Sequence, residues 1–212
     1  MPKKSKPKSA WNRGKTVGRK PALVSTQVTA IKTVMAEKSR LRDRAMFAVA
    51  IDSCLRGCDL VRLRVNDVML SGEMRDQVRV QPMKTKQHAN SAIVFEPSRD
   101  TRKLLQRHIE AADLLATDYL FTSARPPSGP LKPLSERAYL KLVKKWVAFA
   151  SLNPEIYGTH SIRRARPALI YRKTGNIRAC QIMLGHKTIS STQLYLGVEE
   201  EETLDLARQF EM

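Results

Sequence analysis

Residues 157–197 read YGTHSIRRARPALIYRKTGNIRACQIMLGHKTISSTQLYLG. His160 and Arg163 are three apart, so on one helical turn they share a face. The apolar run Ile177–Leu184 then halts at Gly185, a helix-stop signal, and His186 follows directly. Tyr195 comes nine residues after His186, in a second short helical run. Two of the chain's four histidines therefore sit in one window with an arginine and a tyrosine. Each of these side chains can act on a phosphodiester: a guanidinium pairs with its oxygens, an imidazole moves protons, and a phenol can attack.

Working outward, a chain of 212 residues can bury a core in one domain, and 42% hydrophobic with 27% charged residues fits a soluble globular protein. Its 38 basic and 20 acidic residues leave a net charge of +18, which asks for a polyanionic partner. No apolar run approaches the length of a bilayer span, and the opening MPKKSKPKSAWNRGK is charged without a following apolar core. A membrane partner is therefore set aside and nucleic acid is expected. Cys54, Cys58 and Cys180 lack metal-ligand spacing; Cys54 and Cys58, four apart in an apolar pattern, read as small buried thiols. Free thiols point to a reducing compartment, the cytoplasm.

Residues 1–22 hold eight Lys/Arg and no acid, and read as a disordered basic arm that lies along a phosphate backbone or merely solubilises. Ser25 or Thr26 is expected to cap a helix through Lys38, and residues 41–54 carry enough apolar positions for a buried central helix. Arg56 follows, and on that stretch alone reads as a surface arginine beyond a helix end. QVRVQ (77–81) and AIVF (92–95) read as short strands around the loop PMKTKQHANS, which carries Lys84 and Lys86. Further helices are expected over 98–112 and 134–151, the second with a basic stripe of Lys141, Lys144 and Lys145. Residues 198–212 hold six acids against Arg208 and read as an acidic helix whose Leu204, Leu206, Ala207 and Phe210 need a partner surface. The expected fold class is mainly α with a small antiparallel β-sheet, α+β.

Taken in chain order, Arg56, Lys84, His160 with Arg163 in THSIRR, His186 in MLGH and Tyr195 in STQLYLGV resemble the residue set of the tyrosine recombinase, or phage integrase, family. The resemblance implies that family's catalytic-domain fold over residues 23–197, preceded by the arm and followed by a 198–212 segment exchanged between protomers. It also implies a short form without the separate N-terminal domain that closes over DNA in many members. In function it implies site-specific cutting and rejoining of double-stranded DNA through a 3′-phosphotyrosine, with no metal, ATP or other cofactor. Tyr195 would be the nucleophile, Arg56 and Arg163 would hold the phosphoryl oxygens, and Lys84 would protonate the leaving 5′-oxygen. His160 would orient the phosphate and assist proton transfer, and His186 would hydrogen-bond a phosphate oxygen. Four protomers on DNA are expected, with accessory DNA-bending proteins as further partners. Two rival readings are a decayed recombinase that only binds DNA and a topoisomerase-like enzyme that nicks and reseals one duplex. Pro167 supports the first rival, because a proline inside a helix costs about 3 kcal/mol and could displace His160 and Arg163.

Overall fold

The computed structural model describes residues 20–85, 92–123, 129, 131–197 and 208. Among them the chain is mostly helical. Helix α1 (Ser25–Lys38) begins with Ser25 already helical, so neither Ser25 nor Thr26 is the cap. The flanking position is Val24, whose N–H donates to Gln27 Oε1 at 3.0 Å and so gains the partner a capping side chain would not reach. Helix α2 (Leu41–Ser53) is the central helix expected from its apolar content. Its residues from Ala45 to Ser53 are all buried, and Phe47 meets Trp146 edge to face with centroids 5.5 Å apart. Cys54 ends α2 in the left-handed region at φ 51° and turns the chain into the short helix α3 (Gly57–Leu60).

Helix α4 (Val65–Val68) leads into a hairpin the periodicity did not announce: strands β1 (Met69–Leu70) and β2 (Glu73–Met74). Its strands are too short for alternation to show, and the signal lies in the turn, where Ser71 and Gly72 both have positive φ, as tight hairpins require. The anticipated pair is β3 (Val78–Val80) and β4 (Ile93–Phe95), antiparallel with Arg79 opposite Val94. Two small sheets therefore replace the single one expected. Between β3 and β4 a 3₁₀ turn, Met83–Thr85, carries Lys84, while Lys86 lies outside the described residues.

Helix α5 (Arg99–Ala111) is capped by Ser98 and α6 (Glu136–Phe149) by Ser135, each accepting from the N–H three residues on. Helix α7 (Thr159–Thr174) runs unbroken through Pro167. Helices α8 (Ile177–Leu184) and α9 (Ile189–Leu196) follow, both ending on a left-handed glycine. Helix α2 packs on α5 and α7, α1 on α6, and α8 on β4, α7 and α9. Of the Lys141, Lys144 and Lys145 stripe, Lys144 is held by Glu155 at 2.6 Å. The segment 198–212 lies outside the described residues apart from Arg208. Among the described residues no helix is long and apolar enough to cross a membrane.

Asp52 ties three of these helices together from the buried face of α2. Its Oδ2 accepts from the Ser98 N–H at 2.8 Å and from Thr101 Oγ1 at 2.6 Å, fixing the start of α5. On α7, Arg166 Nη1 lies 3.5 Å from Asp52 Oδ1 and donates to the Asp52 carbonyl at 3.1 Å. A buried carboxylate is tolerated only with such partners. Asp52→Ala should lower the unfolding free energy by about 1–3 kcal/mol, because it takes the acceptor from the buried Thr101 hydroxyl and the Ser98 N–H and the ion-pair partner from Arg166. Urea denaturation against the parent protein reads that loss directly.

Candidate active site

Four of the expected site residues, His160, Arg163, His186 and Tyr195, reach the same place because α7, α8 and α9 meet there. On α7, His160 and Arg163 lie one turn apart on the face that meets α9. Arg163 is only 3% exposed. Its Nη2 donates to the Leu184 carbonyl at 2.6 Å, an acceptor that α8 leaves without a helical partner at its C-terminus. Its Nη1 is buried with no hydrogen-bond partner among the described residues. Burial lowers the Arg163 pKa, and the like charge of Arg56 adds to that, while Tyr195 acts in the opposite direction. Pro167 comes four residues after Arg163, so its missing N–H falls on the Arg163 carbonyl and leaves the side chain in place.

His186 is placed by Gly185. At φ 60°, a side chain on Gly185 would be strained, and its Cβ would lie 3.0 Å from Ile93 Cγ1 on β4. The helix end can thus sit directly on the strand, with His186 turned inward. Gln181 Nε2 donates to the His186 carbonyl at 3.1 Å, and His186 Nδ1 lies 3.1 Å from Thr192 Oγ1. Burial, then the charges of Arg163 and Arg56, push the His186 pKa down to about 4, so it is neutral at neutral pH.

Tyr195 lies half-buried on α9 between these groups. Its Oη is 3.2 Å from His160 Nδ1, and its ring meets that of His186 edge to face at 5.1 Å between centroids. Burial raises its pKa, and the Arg163 and Arg164 charges act against that. His160 stays exposed at the rim. Its pKa is lowered first by partial withdrawal of the ring from water, then by Arg163, Arg164, Arg56 and Lys84. The nearby Cys54 thiol is pushed up to about 12 by burial, so it offers no thiolate to compete with the phenol.

Arg56 is not a solvated surface arginine. It flanks α3, where its carbonyl accepts from the N–H groups of Asp59 and Leu60, and its Nη1 is buried without a hydrogen-bond partner among the described residues. Its charge is felt at His160, Arg163 and His186. Lys84 is exposed and the most peripheral of the six, with its charge last among those acting on His160. Sequence reasoning passed over Asp59, which is buried and whose Oδ1 accepts the Met83 N–H at 2.8 Å, fixing the turn that carries Lys84. Its signal was an acid placed three residues after Arg56 in RGCD, in the first turn of a helix. Thr192, three residues before Tyr195 on the same helix face, was also passed over. Among the described residues no group of His, Cys, Asp and Glu could hold a metal ion.

A family model described as the phage integrase family matches residues 22–202. The chain is 27% identical over 177 residues to "Probable integrase/recombinase YoeC" of Bacillus subtilis (strain 168), covering 84% of this chain and 88% of that protein. It is 26% identical over 188 residues to "Tyrosine recombinase XerD" of Xanthomonas campestris pv. campestris, covering 85% of this chain and only 56% of the relative. The fold matches the XerH site-specific recombinase in its post-cleavage complex with a palindromic difH substrate, with a TM-score of 0.68 at 18% identity. That match covers 90% of this chain and 53% of the XerH chain.

The histidines also predict an acid response. His108, His160 and His186 all have folded pKa values below the ordinary 6.5, with His186 at about 4. The unfolded chain therefore takes up protons that the folded chain refuses. Stability is full above pH 6.5 and falls as pH drops toward 4. Denaturation curves across that window should show the fall, and His186→Gln should make it shallower.

Proposed function

The chain belongs to the phage integrase family, and from that premise we propose that it is a site-specific tyrosine recombinase acting on duplex DNA. The observation that carries the reading is the 3.2 Å approach of Tyr195 Oη to His160 Nδ1, beside two arginines that each keep a buried N–H without a partner among the described residues. Buried donors without acceptors are costly unless a ligand supplies them, and a phosphodiester supplies anionic oxygens. In this proposal Arg56 and Arg163 bind the non-bridging oxygens of the scissile phosphate and neutralise the charge that builds on them in the transition state. His186, being neutral, donates a hydrogen bond to one of those oxygens.

The chemical step conserves the bond energy. Tyr195 Oη gives its proton to neutral His160 and attacks phosphorus, so a phosphorus–oxygen bond forms to the phenol as the bond to the 5′-oxygen breaks. Lys84 protonates that leaving oxygen. The product is a 3′-phosphotyrosine and a free 5′-hydroxyl, and attack by a 5′-hydroxyl, from the same or a partner duplex, reverses the step. No cofactor enters the step. The seven basic residues of 1–22 that precede Lys20 would follow the DNA backbone, and the acidic segment 198–212 would pass to a neighbouring protomer in an assembly of four. The XerH comparison supports the DNA substrate class, since that protein is described bound to its difH site after cleavage. Pro167, one of the supports of the decayed reading, does not break the helix: α7 continues through it with His160 and Arg163 on the Tyr195 side.

The test is covalent trapping on a randomised library of nicked duplexes, where the cut end diffuses away and the adduct persists on a denaturing gel. Wild-type protein should form an adduct, and Tyr195→Phe should form none. Arg163→Lys should slow adduct formation by about 10²–10³, since a point charge replaces a planar fork at the developing negative charge. Salt-sensitive binding with no adduct would sink the proposal in favour of a DNA-binding protein. Deleting residues 201–212 should weaken synapsis of two duplexes more than cleavage of one; equal loss of both would remove the protomer-exchange assignment.

A further inference from the structure

Arg164 has no part in the mechanism above. In the run SIRRAR it reads as one more basic residue bound for solvent. Its side chain is instead buried, at 4% exposure, and its Cζ lies 4.5 Å from the centroid of the Tyr195 ring. Arg163 is farther from the same ring, at 5.9 Å. Behind the ring contact, Arg164 Nη1 donates to the carbonyl of Lys20. That carbonyl belongs to a strap, residues 20–23, laid across the start of α7. The strap is held there by the Leu23 N–H on the Ser161 carbonyl at 3.3 Å, by the buried Leu23 side chain, and by Lys20 Nζ on the Glu155 carbonyl. The guanidinium is therefore gripped by backbone on one side and covers the phenol ring on the other.

We propose that Arg164 is a positioning residue for the Tyr195 nucleophile: anchored by the Lys20 carbonyl, its guanidinium holds the phenol ring beside His160 for attack. A cation on a ring face is attracted by the ring quadrupole, most strongly where water is excluded, and attraction grows as negative charge develops on the phenol oxygen. The same contact makes the strap part of the site, because the last residues of the expected basic arm, with Leu23, back the residue that holds the nucleophile. The reaction invoked rests on the recombinase reading; the contact itself does not.

The groups facing Tyr195 are His160, Arg163 and Arg164 on α7, His186 after α8, Cys54 at the end of α2 and Tyr139 on α6. Arg164 can be removed while the others stay. Full-length protein carrying 3-fluorotyrosine at position 195 would be titrated by fluorine NMR without DNA, with Arg164 intact and as Arg164→Lys and Arg164→Met. The phenol should ionise at the lowest pH in the parent, higher in Arg164→Lys and highest in Arg164→Met. On nicked duplex, with ordinary tyrosine, Arg164→Met should slow adduct formation by about tenfold to thirtyfold, the scale of a desolvated cation–π contact. Its alkaline limb should move up in pH while DNA affinity stays unchanged. Identical titration of position 195 in all three proteins would overturn the proposal and leave Arg164 as a pin for the strap. Should Arg164→Met fail to fold by circular dichroism, Arg164→Lys decides by the same titration. If the parent forms no adduct, the recombinase reading fails while the fluorine titration still decides the role of Arg164.

Discussion

Burying the guanidinium of Arg163 constrains everything around it. Moving such a charge out of water costs several kcal/mol unless hydrogen bonds replace the solvent. The protein supplies one of them from the last turn of α8, through the Leu184 carbonyl, and leaves Nη1 without a partner among the described residues. That single bond joins α7 to the end of α8. Gly185 then bends the chain against Ile93 on β4 and delivers His186. The helix that follows delivers Tyr195 to the same arginine. A site built this way is assembled around a buried charge with a donor left over, the donor that the proposed phosphodiester would occupy.

The clustering of cations has a second effect. Burial first holds His160 and His186 below their ordinary range, and Arg163 and Arg56 push both further down. Neutral imidazoles can accept a proton from a phenol or donate a neutral hydrogen bond, whereas charged ones could only donate. Tyr195 stays protonated at rest because burial outweighs the arginine charges. At rest a protonated phenol thus lies beside an imidazole able to receive its proton, as the proposed reaction needs of its nucleophile and base. An incoming phosphate would partly neutralise the same cations and make that base stronger.

The cost of this arrangement is met away from the chemistry. Asp52 on α2 holds the start of α5 and touches Arg166 on α7, so the helix that bears His160 and Arg163 is fastened to the central helix. Asp59 plays a similar part for the turn of Lys84. Neither carboxylate is assigned a part in the proposed chemistry, yet each sets where a residue of the candidate site stands.

Local signals in the chain were enough for the helices, the β3–β4 pair, the buried α2 and the window of residues 157–197. These depend on periodicity, caps and glycine stops, which act over a few neighbouring residues and are written in order. The ordered set of Arg56, Lys84, His160, Arg163, His186 and Tyr195 came from the resemblance to the tyrosine recombinase family, since Arg56 and Lys84 taken alone read as solvated residues. Tertiary structure decided what spacing cannot carry. Arg56 is half-buried because α2 ends in a left-handed turn at Cys54 and α3 doubles back. Pro167 leaves the site intact because its missing N–H concerns a backbone carbonyl and not the side chain of Arg163. Arg164 covers Tyr195 because residues 20–23 cross α7 from a distance of more than a hundred residues. Contacts of that separation come from the packing of whole helices, and no local pattern encodes them.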